Sequence, residues 1–351
     1  MGAHYATRED ITSTLEDQST VRFHKLIDQK LETASRAVDT LTHREFAPFI
    51  GARKFDYPNY ELTRNNQLDL KGKWLNTVSA FDNGGTALSA PDDYTLLRSD
   101  GIDAPPYTKI EITNGLIQGT SFDGAWSAVI TGEWGWVDRK NRATLDTAVD
   151  SDDTALILDP VNARLDVGVG SALYIGTEWM LVTDRTWNGI GVMLSDLTVN
   201  RNNNSIQVSD ASVYAVDEMI RIDGERMRVI DIDTDLDVIY VERALFGTVL
   251  AAHDSAPNIY AQRTFIVERG ALGSTAAAHD AAVNVAVNAY PGLVHALTVA
   301  ETLNLLEQDS AAWSRTVGSG DNVRNASGSA LEGMRQKVYW AHGITNRKSA
   351  I

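Results

Sequence analysis

The sequence predicts an α+β protein in which N- and C-terminal helices form a helical core and carry between them an antiparallel β meander and a repeat-containing β insertion. Three observations lead there. Apolar residues recur at helical spacing in the first 46 residues and again after Pro291, the period falls to two from about Ala52, and two short phrases are each written twice in the middle of the chain. The implied units are residues 1–138 (helices and meander), 144–290 (insertion) and 291–351 (C-terminal helices and tail).

"TREDITSTLED" offers Thr7 as an N-cap, with Glu9 and Asp10 in a first turn where acids favour the helix dipole. A long helix follows, in which Ile27, Leu31, Ala34, Val38 and Leu41 share one stripe that must be buried against another helix or another subunit. Pro48 ends the pattern. From Ala52, runs such as "RKFDY", "QLDL", "TKIEI" and "WSAVITGEWGW" alternate between turn-forming "YPN", "DNGG" and "DAPP". Trp74, Tyr94, Tyr107, Trp126 and Trp134 belong to the packing of that meander, because aromatics dominate the cores of small sheets.

After the polar linker "DRKNRATLDTAVDSDD", "YIGTEWMLVTD" (174–184) matches "RIDGERMRVID" (221–231), each a two-residue turn ahead of Glu178 or Glu225 and a strand. "VERALFGTVLAAHD" (241–254) then matches "VERGALGSTAAAHD" (267–280), a strand followed by a compact loop. One imidazole and one adjacent carboxylate per copy are too few for a zinc site or a triad, so His253 and His279 are expected to be structural, bonded to loop carbonyls. Asp231, Asp233, Asp235 and Glu242 match positions 1, 3, 5 and 12 of a calcium loop, but Leu236 stands where the sharp turn requires glycine, and a hairpin is the better reading. "GVGSAL" and "GSGDNV" lack the lysine and the strand-loop-helix order of a phosphate cradle, and read as turns. From Pro291 the helical period returns in "PGLVHALTVAETLNLLEQ" and "ALEGMRQKVYWAHG".

The chain has no cysteine, no apolar run suited to a membrane span and no visible secretion signal. A formal net charge of -16 argues against holding nucleic acid by phosphate neutralisation. After Glu332 the ending carries Arg335, Lys337, Arg347 and Lys348 without an acid, beside Val338, Tyr339 and Trp340. A basic, partly aromatic tail on an acidic body is expected to dock on a partner.

The opening "YATREDITSTLEDQSTVRFHKLIDQKLETASRAVDTLTHREFAPFIGARKFDYPN", the "AVITGEWGW" strand, "GERMRVID", "VERGALGSTAAAHDA" and the ending "RTVGSGDN…LEGMRQKVYWAHG" together resemble the head-tail connector, or adaptor, proteins of long-tailed bacteriophages. The resemblance implies that the helices are a connector core. It also implies a structural virion protein at the neck, assembled in the host cytoplasm, whose copies form a ring, commonly of twelve, between the portal protein and the next neck ring (stopper). Genomic DNA would pass without tight binding, the tail from Arg335 would dock on the portal, and neither catalysis nor a cofactor is expected. Adaptors of this type are mostly helical, so the β repeats are a departure. The alternative is a carbohydrate- or host-surface-binding β module using Trp179 or Trp187; a hydrolase would need a site that the sequence does not display.

Overall fold

A computed structural model describes residues 2–15, 23–55, 67–98, 100–114, 128–159, 166–254, 256–313 and 326–344. The chain is mostly β, 40% strand against 22% helix, which corrects the expected fold class: the helices are not the core of the molecule. The physical reason is where apolar surface is concentrated. Each terminal helix offers one stripe, whereas the alternating runs of the repeats close on themselves and enclose the two largest apolar clusters.

Four helices are present among the described residues: α1 (Arg8–Leu15), α2 (His24–Thr42), α3 (Gly292–Trp313) and α4 (Ala326–His342). Thr7 and Asp10 cap α1 reciprocally, the Thr7 N–H donating to the Asp10 carboxylate (2.7 Å) and the Asp10 N–H to the Thr7 hydroxyl (3.1 Å). The stripe on α2 is buried within this chain. Ile27 and Leu31 pack with Ile11 and with Val299 and Leu303 of α3, and Ala34 is fully buried. Val38, with half-buried Leu41 beside it, packs against Val294, Leu297, Leu331 and Val338.

Seven strands make the meander: β1 (Phe49–Phe55), β2 (Gln67–Asp69), β3 (Leu75–Asn83), β4 (Thr86–Leu88), β5 (Tyr94–Leu97), β6 (Lys109–Ile112) and β7 (Ala128–Trp134). They form two sheets, in the orders β1-β7-β3-β4 and β2-β6-β5. Phe55, Leu75, Phe81, Tyr94, Ile110 and Trp134 fill the space between them, with half-buried Tyr107 packed alongside. Trp74 is buried in the helical cluster instead, and Trp126 lies outside the described residues.

Ten strands follow: β8 (Arg139–Leu145), β9 (Ala155–Asp159), β10 (Ala172–Ile175), β11 (Glu178–Val192), β12 (Ser205–Gln207), β13 (Met219–Ile222), β14 (Glu225–Asp233), β15 (Val238–Glu242), β16 (Asn258–Ala271) and β17 (Asn284–Asn288). The order β11-β10-β17-β8-β9-β16 closes into a six-stranded barrel because β16 pairs back on β11 from Trp179↔Ala271 onward. The far ends of the same two long strands enter a second closed ring. There β16 continues through β13, β14 and β15 to β12, and the Met193↔Val208 bridge returns to the end of β11. Closure leaves neither barrel with an open edge.

The two barrels are copies of one design. The Gly170 N–H donates to the Val182 carbonyl and the Asp217 N–H to the Val229 carbonyl, both at 2.8 Å and both from positive φ (99° and 68°). Leu173, Ile175, Met180 and Val182 fill the first barrel where Ile220, Ile222, Met227 and Val229 fill the second. The chain nests them, since the second barrel is spelled out between β11 and β16 of the first.

Candidate functional sites: two glutamate locks and an arginine-lined cleft

The repeated phrases meet pairwise at two buried carboxylates. In the first barrel Glu178 accepts from Arg269 Nε and Nη2 (2.9 Å each), the Gly270 N–H (2.7 Å), the Ala277 N–H (3.1 Å) and His279 Nε2 (2.9 Å). In the second, Glu225 accepts from Arg243 Nε (3.0 Å) and Nη2 (2.7 Å), the Ala244 N–H (3.0 Å), the Ala251 N–H (3.1 Å) and His253 Nε2 (2.9 Å). The loops that supply these donors need the same backbone: Ala244, Phe246 and Gly247 take φ of 58°, 53° and 70°, and Gly270, Leu272 and Gly273 take 57°, 54° and 81°. The repeat therefore conserves a loop shape and the carboxylate it encloses.

Both histidines bond a glutamate carboxylate, which corrects the expected loop carbonyls; His253 also meets Asp223 through Nδ1 at 2.8 Å. Burial alone would raise the Glu178 pKa, but Arg269, the two N–H groups and His279 outweigh it and hold Glu178 at about 2. Glu225 is lowered against burial by Arg243, His253 and the Ala251 N–H. A carboxylate with five donors on two oxygens has no lone pair free to take a proton from a substrate. Each set is a rigid clamp between a hairpin and a loop.

In the Asp-rich segment, Asp233 accepts from the Asp235 and Leu236 N–H groups (3.1 and 3.0 Å) and turns β14 into β15, while Glu242 pairs with Arg228 at 2.5 Å. Among the described residues no three His, Asp or Glu side chains group as metal ligands, and no helix is long and apolar enough to cross a membrane.

The expected docking tail begins inside α4. Val338 is buried in the helical cluster; Arg335 Nε bonds Glu301 of α3 at 2.5 Å while its side chain stays 39% exposed, and Tyr339 is half-buried. Beyond α4 the Ile344 N–H donates to the Thr42 carbonyl, and Arg44 Nε donates to the His342 carbonyl at 2.6 Å, so residues up to 344 are tied to the body. Lys337 is exposed and Trp340 is 81% exposed. Arg347 and Lys348 lie outside the described residues.

Trp179 is fully buried and its Nε1 donates to Glu133 (3.1 Å), which removes it as a sugar platform. Trp187 is half-buried in a cleft of about 440 Å³ between α1 and the second barrel. Arg8 and His24 wall one side; Trp187, Met219, Arg226, Arg228, Leu245 and Phe246 wall the other. Arg8 is committed to Asp28 (2.6 Å) and Asp184 (3.0 Å). Arg221 and Arg226 instead lie over the Trp187 ring, at 5.0 and 5.6 Å, and neither has a carboxylate partner among the described residues. Burial and the neighbouring Arg221 both lower the Arg226 pKa. Sequence reading missed this cleft, whose only signal was the pair of arginines that the second hairpin carries where the first has Tyr174 and Trp179.

No family model matches the chain, and no curated protein matches its sequence.

Proposed function

We propose that the protein is a structural subunit of a bacteriophage neck, a head-tail adaptor whose copies form a ring that joins the portal to the next neck ring and lets DNA pass. The observation that carries this reading is that the buried charges of the double barrel are spent on rigidity. Glu178 and Glu225, the carboxylates that the repeats bring to the centre of each barrel, are saturated by donors and hold a hairpin to a loop. A resemblance spread through five motifs along the chain supports the same reading. Exposed Trp340 and Lys337 on α4 supply a contact surface toward a portal, with the helical cluster as their base. A body of charge -16 repels phosphates, which suits a passage and not a binder.

Negative-stain microscopy of the purified protein, and of virions labelled on this subunit, tests the proposal: rings and label at the neck are expected, and label confined to fibres or the head surface overturns it. Duplex DNA is expected not to shift at moderate salt. A tight complex with a steep salt dependence would contradict the passage role.

A further inference from the structure

The two barrels carry the same outer face; other segments of the chain cover it in the first, and in the second it lines the cleft beside α1. In the first barrel that face is Ala172, Trp179, Leu181 and Ala271, with Tyr174 and Leu272 at its margin, and the chain's own Ala3, Ala47, Ile50 and Val137 lie on it. The Ile50 N–H donates to the Leu272 carbonyl at 2.8 Å, and Gly273 sits so close that a Cβ there would fall 2.0 Å from the Ile50 carbonyl oxygen. The loop is thus a seat for an extended segment.

In the second barrel the matching positions Met219, Arg226, Arg228 and Leu245, with Phe246 at the margin, wall the cleft, and Arg221, the counterpart of Tyr174, lies over the Trp187 ring. The loop has the same left-handed residues, and the Phe246 carbonyl, counterpart of Leu272, has no hydrogen-bond partner among the described residues. Three apolar residues of the covered face have become arginines. Among the described residues two of these, Arg221 and Arg226, lack a carboxylate, and the buried Arg221 Nε has no hydrogen-bond partner. Of the carboxylates that also line the cleft, Glu242 pairs with Arg228, Glu218 with Arg263, Asp10 with His295 and Glu9 with Arg185, which leaves Asp217 to set against Arg221 and Arg226.

We infer that this seat, through Arg221 and Arg226, receives the Asp-rich β14–β15 turn of a neighbouring copy of this chain. This rests on the ring reading and names its contact. The turn offers what the seat requires: Asp231 and Asp235 are exposed, and Leu236, 63% exposed, is an apolar anchor for the Trp187, Met219, Leu245 and Phe246 walls. The exposed acids at Asp150–Asp153 have no such anchor, and two of their carbonyls are already held by Arg269. Arg226 lies near the start of β14 and Asp235 in the turn beyond its end, separated by a strand of about 23 Å at roughly 3.3 Å per residue. Seat and turn are therefore different patches of one subunit, the arrangement that propagates head to tail and closes into a ring.

The absence of cysteine makes the contact directly testable. Full-length Arg226→Cys and Asp235→Cys variants, differently tagged and mixed under oxidation, are expected to form a disulfide between copies. High salt should suppress it, and Asp152→Cys should not replace Asp235→Cys. Arg221→Glu with Arg226→Glu, and separately Asp231→Arg with Asp235→Arg, should each weaken self-association at least tenfold by sedimentation at unchanged melting temperature, and mixing the two should restore it. Rings that persist in both reversed variants overturn the contact and leave the ring reading standing. A wild type that sediments as a monomer, with no cross-link in the mixture, overturns both.

Discussion

At the scale of single residues, Glu178 and Glu225 decide the most. Removing either carboxylate strands a buried arginine, Arg269 or Arg243, so Glu178→Ala and Glu225→Ala should each cost about 3–5 kcal/mol in chemical denaturation. Replacing His279 or His253 removes one donor of five and should cost less, roughly 1–3 kcal/mol. The acid limb of stability follows from the direction of the shift. Glu178 is depressed from an ordinary 4.5 to about 2, so its contribution is complete above about pH 4.5 and is lost as pH falls toward 2. Melting temperatures of Glu178→Gln should accordingly show a shallower decline over that window than wild type. The Glu-Arg and His-Asp phrases are legible in the sequence as repeats. Their shared partner is not, because Glu178 lies 91 residues from Arg269 in the chain and only closure of the barrel brings them together.

Among elements, the seating of β1 on the Gly273 loop and of α1 on α3 join the ends of the chain to the barrels and to each other. Gly273→Val combines a φ of 81° with a collision against the Ile50 carbonyl, and should destabilise by more than about 2 kcal/mol while accelerating hydrogen exchange along β1. The α1–α3 contact includes His295 Nε2 against the Asp10 carboxylate at 3.0 Å; that hydrogen bond, against burial, raises the His295 pKa. Its contribution is therefore complete below the ordinary histidine pKa of 6.5 and fades as pH rises through the higher folded value. Exchange protection in α1 should fall across that range in wild type and stay flat in His295→Gln. The α2 stripe was readable from Ile27 to Leu41 because helical periodicity is local. The expectation of a helical core was not met, because period two reveals strands without revealing that β16 returns to β11 and shuts a barrel.

For the whole molecule, the two barrels share a ribbon, β11 with β16, and so share their fate. Residues 139–290, which begin with β8 and not partway through it, should fold alone as a β protein that unfolds in one transition by calorimetry; two separated transitions would contradict coupling through the ribbon. Because the second barrel interrupts the first, the chain reads like a pair of nested brackets. On the ribosome the inner bracket, through Ala261, has left the exit tunnel while Arg269, His279 and β17 are still to follow. The inner barrel can therefore shut first and hold β11 and β16 side by side, serving as the turn of a hairpin whose arms belong to its twin. A lesion in the inner lock at Glu225 would then delay both closures during synthesis, whereas one at Glu178 would delay only the outer.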